Sequence, residues 1–335
     1  MIQFLGLAFS EDEVKVASLG RDLCGTVRAS TRIANVRTDE SDGPSKEGRR
    51  RSRVVPAEWV RAAGFALGEA YVAMPPKERK IWGIGLTGPA GWIALDLDFT
   101  PLADLRLVPA RDVLADFSSW LEAHPRLRNR IGTVLSPKDY FRFVISRGLA
   151  TDVTTVSAIN ACSDDSCDWN VDALAAQSIE RTWLPPVFDS TATTGRLDEE
   201  GMRQTGLPGS LWIVAGGLPR ACRGIDAGNL ERGVLWTPAG NEPPTFGLGD
   251  TPFGASATRT APQGWRLVRA PIRGHAHLVR DDYIDNDGAR RELEKWGHTV
   301  ESTIENPGTA ELGAAAVAAV GSNLVRSWDW FYRRR

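Results

Sequence analysis

Sulfur and imidazole are scarce in this chain. Its 335 residues hold four cysteines, four histidines and three methionines. Cys24, Cys162, Cys167 and Cys222 are too scattered for a disulfide framework, and a reduced, cytoplasmic setting fits them best. Structural zinc needs two close ligand pairs, and only Cys162 and Cys167 lie near each other, so that stretch reads as a surface loop. His275 and His277 share one face of a strand near Asp281 and Asp282, but a third placed ligand is missing. His124 and His298 stand alone. An excess of one charge is also missing. Forty Lys and Arg face 42 Asp and Glu, a net charge of −2, which gives no electrostatic case for nucleic acid. No apolar run reaches the roughly 18–20 residues of a membrane span. The opening residues carry no basic-then-apolar leader, so no signal peptide is expected. No repeat of solenoid length occurs, and no Gly-x-Ser-x-Gly elbow. Gly83, Gly85 and Gly88 spell a dinucleotide fingerprint, but they sit inside a strand and not at a turn that opens a helix.

What is present is an α/β pattern with ordinary apolar content, 42%, and twelve tryptophans. Residues 3–9 and 13–19 read as paired strands, and 24–36 as a third. Residues 39–53, rich in charge, Gly and Pro, read as an exposed loop whose Arg49–Arg53 cluster is a solvated surface before it is an anion site. A helix starts at Pro56, with apolar spacing through Trp59, Ala62, Ala63, Ala66 and Leu67. Residues 81–88 and 92–96 read as buried strands, and 98–102 as the turn that follows. Residues 110–147 read as helix interrupted at Pro125 and Pro137. The Thr205–Ser210 stretch reads as a boundary, so domains over 1–210 and 211–335 are expected, with residues 211–215 opening a second set of strands. Residues 238–264 and 281–288 read as linkers, and the Ala-rich 309–325 as helix. The aromatic and basic end, Trp328–Arg335, reads as packed somewhere, on the chain's own core or on a partner.

Several segments line up with one family in one order. Ile84-Gly85-Leu86-Thr87-Gly88 followed by Trp92-Ile93-Ala94-Leu95-Asp96, then Leu135-Ser136-Pro137-Lys138-Asp139-Tyr140, Gly148 and Thr151-Asp152-Val153-Thr154, resemble the FGGY carbohydrate kinases, the xylulokinase-like members most closely. Trp183-Leu184-Pro185, Thr205-Gly206-Leu207, Gly288-Ala289-Arg290-Arg291 and Glu311-Leu312-Gly313-Ala314 continue it. The resemblance implies a two-domain, actin-like and ribonuclease-H-like α/β fold with the second domain truncated. It also implies sugar held mainly by the first domain and MgATP mainly by the second. On the sugar side it points to Thr87, Gly88, Asp96 and Asp152. On the nucleotide side it points to Gly216, Gly217, Gly228, Gly313 and Ala314.

The resemblance also shows what has changed. The family's strand-end acid falls on Ala8, and the Gly-Thr phosphate turn on Ser10-Glu11. Glu11, Asp12 and Glu13 set negative charge where a polyphosphate would approach. The sugar-contacting Met-His pair is replaced within Gly88-Pro89-Ala90-Gly91. The family's proton acceptor falls on Pro219, or on Leu218 with a slip of one, and neither side chain takes a proton. Losing a positioned base costs roughly 10²–10⁴ in rate. Asp226 is the nearest substitute, with a loop acid of no role the plainer reading. The turn at Asp226-Ala227-Gly228-Asn229 is altered as well. The expectation is therefore a sugar-kinase homologue with impaired catalysis that binds a sugar, a polyol or a protein partner, with homo- or hetero-oligomers open. The alternative is an active kinase using MgATP, with Asp226, Asp96 or Asp152 as acceptor. A third reading is a structural subunit that pairs its Trp-rich surface with an active kinase.

Overall fold

A computed structural model describes residues 2–20, 25–38, 51–163, 168–226, 235–236, 245–247, 265–269, 276–280 and 309–322. The chain opens with three antiparallel strands, β1 (Ile2–Phe9), β2 (Glu13–Gly20) and β3 (Gly25–Arg32). Short strands β4 (Arg37–Thr38) and β5 (Ser52–Val54) precede helix α1 (Pro56–Ala73), which has proline in its first turn. Arg53 therefore lies in a strand, not in the loop expected over 39–53. That strand is fixed by pairing with Arg37 on one side and Arg106 on the other.

Strands β6 (Lys80–Thr87), β7 (Gly91–Asp96) and β8 (Leu105–Leu107) come next, then α2 (Val113–Ala123), β9 (Ile131–Leu135) and α3 (Pro137–Ser146). β9 corrects the expectation of helix through 110–147. Ile-Gly-Thr-Val-Leu is a strand-favouring run, and antiparallel pairing with β7 outweighs the helical flanks. β10 (Thr151–Asp152), α4 (Val153–Ala158), α5 (Val171–Ala176), β11 (Val187–Phe188), β12 (Thr193–Arg196), α6 (Glu199–Thr205), β13 (Trp212–Val214) and α7 (Pro219–Asp226) follow. Strands β14 (Leu235–Trp236), β15 (Thr245–Gly247), β16 (Trp265–Arg269) and β17 (Ala276–Arg280) form a separate antiparallel sheet. Helix α8 (Ala310–Gly321) is the last described element.

The main sheet has the order β12-β13-β6-β1-β2-β3. β13 runs parallel to β6, so residues 212–214 extend the first sheet and do not begin a new one. Alternation along β1 divides its two faces. Leu5, Leu7 and Phe9 pack with Val14 and Val16 under Trp59, Ala63, Ala66 and Leu67 of α1. Phe4, Ala17 and Leu19 face Leu312 and Ala315–Ala319 of α8. Phe9 stacks on Trp59 at 4.4 Å, and the Trp59 indole donates to the Pro137 carbonyl at 3.2 Å, joining α1 to α3.

α8 lies on the sheet almost backbone to backbone. A Cβ at Gly6 would stand 1.7 Å from the Glu311 carbonyl, and one at Gly85 would stand 1.8 Å from that of Ala314. Small residues on both sides make this contact possible. The second sheet, β4-β5-β8-β7-β9, packs under α2. Trp92, Phe117, Trp169 and Trp183 fill that core. The Trp92 indole donates to Asp116 at 2.8 Å, and Asp116 also receives Arg106 at 2.9 and 3.0 Å.

Candidate active site and its buried charge network

Several residues that the resemblance assigns to the sugar and nucleotide sides surround one buried cluster of charge. Ser136 caps α3 and donates to the Asp139 carboxylate at 2.6 Å. Asp152 caps α4, accepting the amides of Thr154 and Thr155 at 2.8 and 3.2 Å. Lys138 Nζ lies between the two carboxylates, 2.5 Å from Asp139 and 2.8 Å from Asp152. Arg142 binds Asp139 from the next turn of α3 and also donates to the Ala150 carbonyl at 3.0 Å and the Thr194 hydroxyl at 3.1 Å. Two cations and two anions thus cancel, each side chain 0–1% exposed.

Burial pulls the Lys138 ammonium down to about 8, against the pull of Asp152. Burial likewise lowers Arg142, to about 10. Burial alone would raise the Asp152 carboxyl; Lys138 and the Thr154 and Thr155 hydroxyls hold it below its ordinary value. Burial also pushes the Cys222 thiol up to about 12, and the Thr87 hydroxyl lies beside it.

This cluster fixes the chain as it leaves the main sheet. Lys138 donates to the Ala215 carbonyl at 3.3 Å. Thr154 bonds Asp152 through its hydroxyl proton, and its oxygen accepts the Leu218 amide at 2.8 Å. Gly216 has φ +77°, and a Cβ there would meet the Leu86 carbonyl at 2.0 Å, so the turn requires glycine. Gly217 bridges Thr87, with its amide donating to Leu86 at 3.1 Å. A side chain on Gly217 would meet Thr154, Cys222 and Ser190. Pro219 then heads α7.

Thr87, Gly88, Asp152, Gly216 and Gly217 are therefore brought together, Gly88 lying against the Lys138 side chain. Asp96 is not among them. It holds its own turn, accepting Asp98 and Thr100 amides at 3.0 and 2.8 Å, and faces Arg130 at 3.5 Å. Asp226 is buried at the end of α7 and accepts the Thr309 amide at 2.7 Å, next to the start of α8. Gly313 and Ala314 are packing positions, Gly313 against the Cys222 carbonyl and Ala314 against Gly85. Gly228, Cys24, Cys167, His275, Asp281, Asp282, residues 288–291 and the Trp328–Arg335 end lie outside the described residues. Among the described residues no group of three or more His, Cys, Asp or Glu is placed to hold a metal, and no helix is long and apolar enough to cross a membrane.

The hairpin turn between β1 and β2 does not fit the phosphates of MgATP. The Ser10 hydroxyl is taken up inside the turn, donating to the Glu13 carbonyl at 2.9 Å and accepting the Glu13 amide at 3.1 Å. Glu11 and Asp12 are exposed beside it, and Ala8, next to last in β1, lies opposite Thr87 without a carboxylate. Sequence reasoning quoted Lys138 and Asp139 but gave no role to them, nor to Arg142, Thr155, Ser190 or Cys222. The available signal was a basic pair four residues apart, at 138 and 142, inside an otherwise aromatic helix.

Comparison with known proteins fits this geometry. Residues 117–221 match the model of the FGGY family of carbohydrate kinases, N-terminal domain. Xylulose kinase of Bacillus subtilis is 26% identical over 207 residues, covering 53% of this chain and 42% of that protein. Xylulose kinase of Klebsiella pneumoniae is 28% identical over 115 residues, 34% and 24% of the two chains. The chain thus spans less than half the length of these curated relatives. Xylulose kinase from Rhodospirillum rubrum superposes with a TM-score of 0.69 at 16% identity, covering 88% of this chain and 63% of that one. Glycerol kinase of Plasmodium falciparum, solved with ADP, gives 0.64 at 12%, covering 89% and 64%. The fold is the actin-like, ribonuclease-H-like α/β fold of sugar kinases. Over residues 117–221 the chain is similar to the N-terminal domain of the FGGY carbohydrate kinases, and its wider likeness is to parts of xylulose kinases.

Proposed function

We propose that this chain is an FGGY-kinase homologue whose phosphoryl-transfer chemistry is lost or severely reduced, and which acts by binding a carbohydrate or polyol. One observation carries the reading. The position that the resemblance assigns to the proton acceptor is Pro219, the first residue of α7, which has no group able to accept a proton. Phosphoryl transfer depends on positioning and charge, and the hydroxyl proton still needs an acceptor. The three acids that would substitute are already engaged. Both Asp152 oxygens are bonded inside the sealed cluster. Asp226 accepts the Thr309 amide. Asp96 shapes its own turn. The acidic hairpin turn supports the same reading, because it opposes a polyphosphate.

The named relatives make pentuloses the first ligands to try, with partner binding in homo- or hetero-oligomers and a cytoplasmic setting as further parts of the proposal. A thermal-shift screen with MgATP, MgADP, pentuloses and polyols tests it. A ligand at 100 times its Kd stabilises the native state by about 2.7 kcal/mol. A shift with sugar and none with MgATP is the expected result. Shifts with both would favour a working kinase with a rearranged site. No shift with any of them, together with a stable heteromer in pull-down, would favour a structural subunit.

A further inference from the structure

The second core borders a space lined partly by Ala90 and Gly91, from the turn that the resemblance gives to sugar contact, and by Leu218 beside Pro219. Trp92, Val113, Phe117, Ile159, Trp169 and Ile179 line a cavity of about 40 Å³. A single water needs only about 10–15 Å³, so size does not keep water out. Polarity does. A buried water requires two to four hydrogen-bond partners. The hydroxyls on the wall belong to Ser136, Thr151 and Thr155. Ser136 donates its proton to Asp139 and Thr155 donates to Asp152, each at 2.6 Å, so both protons point into the charge network. The Trp92 and Trp169 indole N–H groups are also committed, to Asp116 and to the Pro185 carbonyl, each at 2.8 Å. A sugar hydroxyl placed here would exchange its water partners for the Thr151 hydroxyl and the lone pairs of Ser136 and Thr155, on an otherwise apolar wall.

We propose that this cavity is a binding site for a small, uncharged, apolar group the size of a short alkyl chain, free or as the apolar end of a larger ligand. Ala90, Leu114, Ser136 and Leu184 are only half buried and form the thin wall through which such a group enters. Leu218 lies on the opposite side of the family's base position from α7 and also lines the space. Its amide is the one held by Thr154, so a guest touches the residue that sets the start of α7. The site shares Ala90 and Gly91 with the turn that the sugar reading uses, so the proposal says what chemistry that turn faces on this side.

Xenon is the probe. ¹²⁹Xe NMR on the full chain, with tryptophan emission followed in parallel, reads the cavity directly, because Trp92 and Trp169 line it. The wild type should give a saturable bound-xenon shift with quenching of emission. Ala90→Leu, which fills the space, should weaken xenon binding by about tenfold or more while the far-ultraviolet dichroism is kept, a loss of about 1.4 kcal/mol or greater. Leu114→Ala, which enlarges it, should tighten xenon and add a benzene-induced rise in Tm. A xenon response linear in pressure, or one unchanged in a folded Ala90→Leu protein, overturns the proposal. Should Ala90→Leu fail to fold, Leu114→Ala decides: xenon affinity equal to the wild type overturns it.

Discussion

Lys138 is the residue on which the site's frame turns. It sits between Asp139 and Asp152 with its side chain 1% exposed, and its ammonium reaches the Ala215 carbonyl. Removing one partner of a buried ion pair leaves the others uncompensated, which costs about 3–5 kcal/mol. Lys138→Met should therefore destabilise the fold by roughly that amount in urea unfolding at pH 7. The pH dependence has a definite sign. Lys138 releases its proton near 8 when folded and at 10.5 in its ordinary state. Between those values the unfolded chain holds more protons, so this residue's contribution to stability rises with pH. The gap between wild type and Lys138→Met should widen from pH 8 to pH 10. A gap that is constant across that window would show that the ammonium does not titrate as described. Asp152 acts in the acid range: its carboxyl is held low, so its contribution is complete above the ordinary carboxylate range and is lost as pH falls through its folded value.

At the scale of elements, α8 and the main sheet depend on glycine. Gly6 and Gly85 lie under the Glu311 and Ala314 carbonyls, so one added methyl at either must push the helix away. Gly6→Ala and Gly85→Ala should each cost on the order of 1–3 kcal/mol or more, the usual toll of overpacking. Because both act by moving the same helix, the double variant should cost less than the sum. Full additivity in chemical denaturation would mean that α8 does not move as a unit. The sequence made α8 legible through its alanines and made α1 legible through Trp59, Ala63, Ala66 and Leu67. It did not reveal β9, because Ile131–Leu135 is five residues flanked by prolines within a helical stretch, and only pairing with β7 identifies it as a strand. Nor did it show that Trp212–Val214 joins β6, since a parallel neighbour more than a hundred residues away leaves no local mark. The turn glycines Gly216 and Gly217 were legible through resemblance, but their physical reason, a carbonyl 2.0 Å from any Cβ on Gly216, needed the third dimension. The charge network was illegible for the same reason: Lys138 and Asp152 are fourteen positions apart and meet only when α3 and α4 converge.

Across the whole molecule, the fold is that of sugar kinases, and the proposed loss of chemistry rests on the residues that the resemblance places at the reacting positions. The buried tetrad of Lys138, Asp139, Arg142 and Asp152 still holds the chain from Ala215 to Leu218, and the residue delivered by that frame is Pro219. At the first hairpin, where the resemblance puts phosphates, Glu11 and Asp12 are exposed and the Ser10 hydroxyl is spent on its own backbone. The most direct test is chemical. Purified full chain is incubated with MgATP and a panel of pentuloses and polyols, and sugar phosphate is quantified by mass spectrometry against enzyme-free controls. The account expects sugar phosphate at the control level, with ADP release unaffected by any sugar. Sugar phosphate that accumulates in proportion to protein concentration and turns over many times per chain would contradict it.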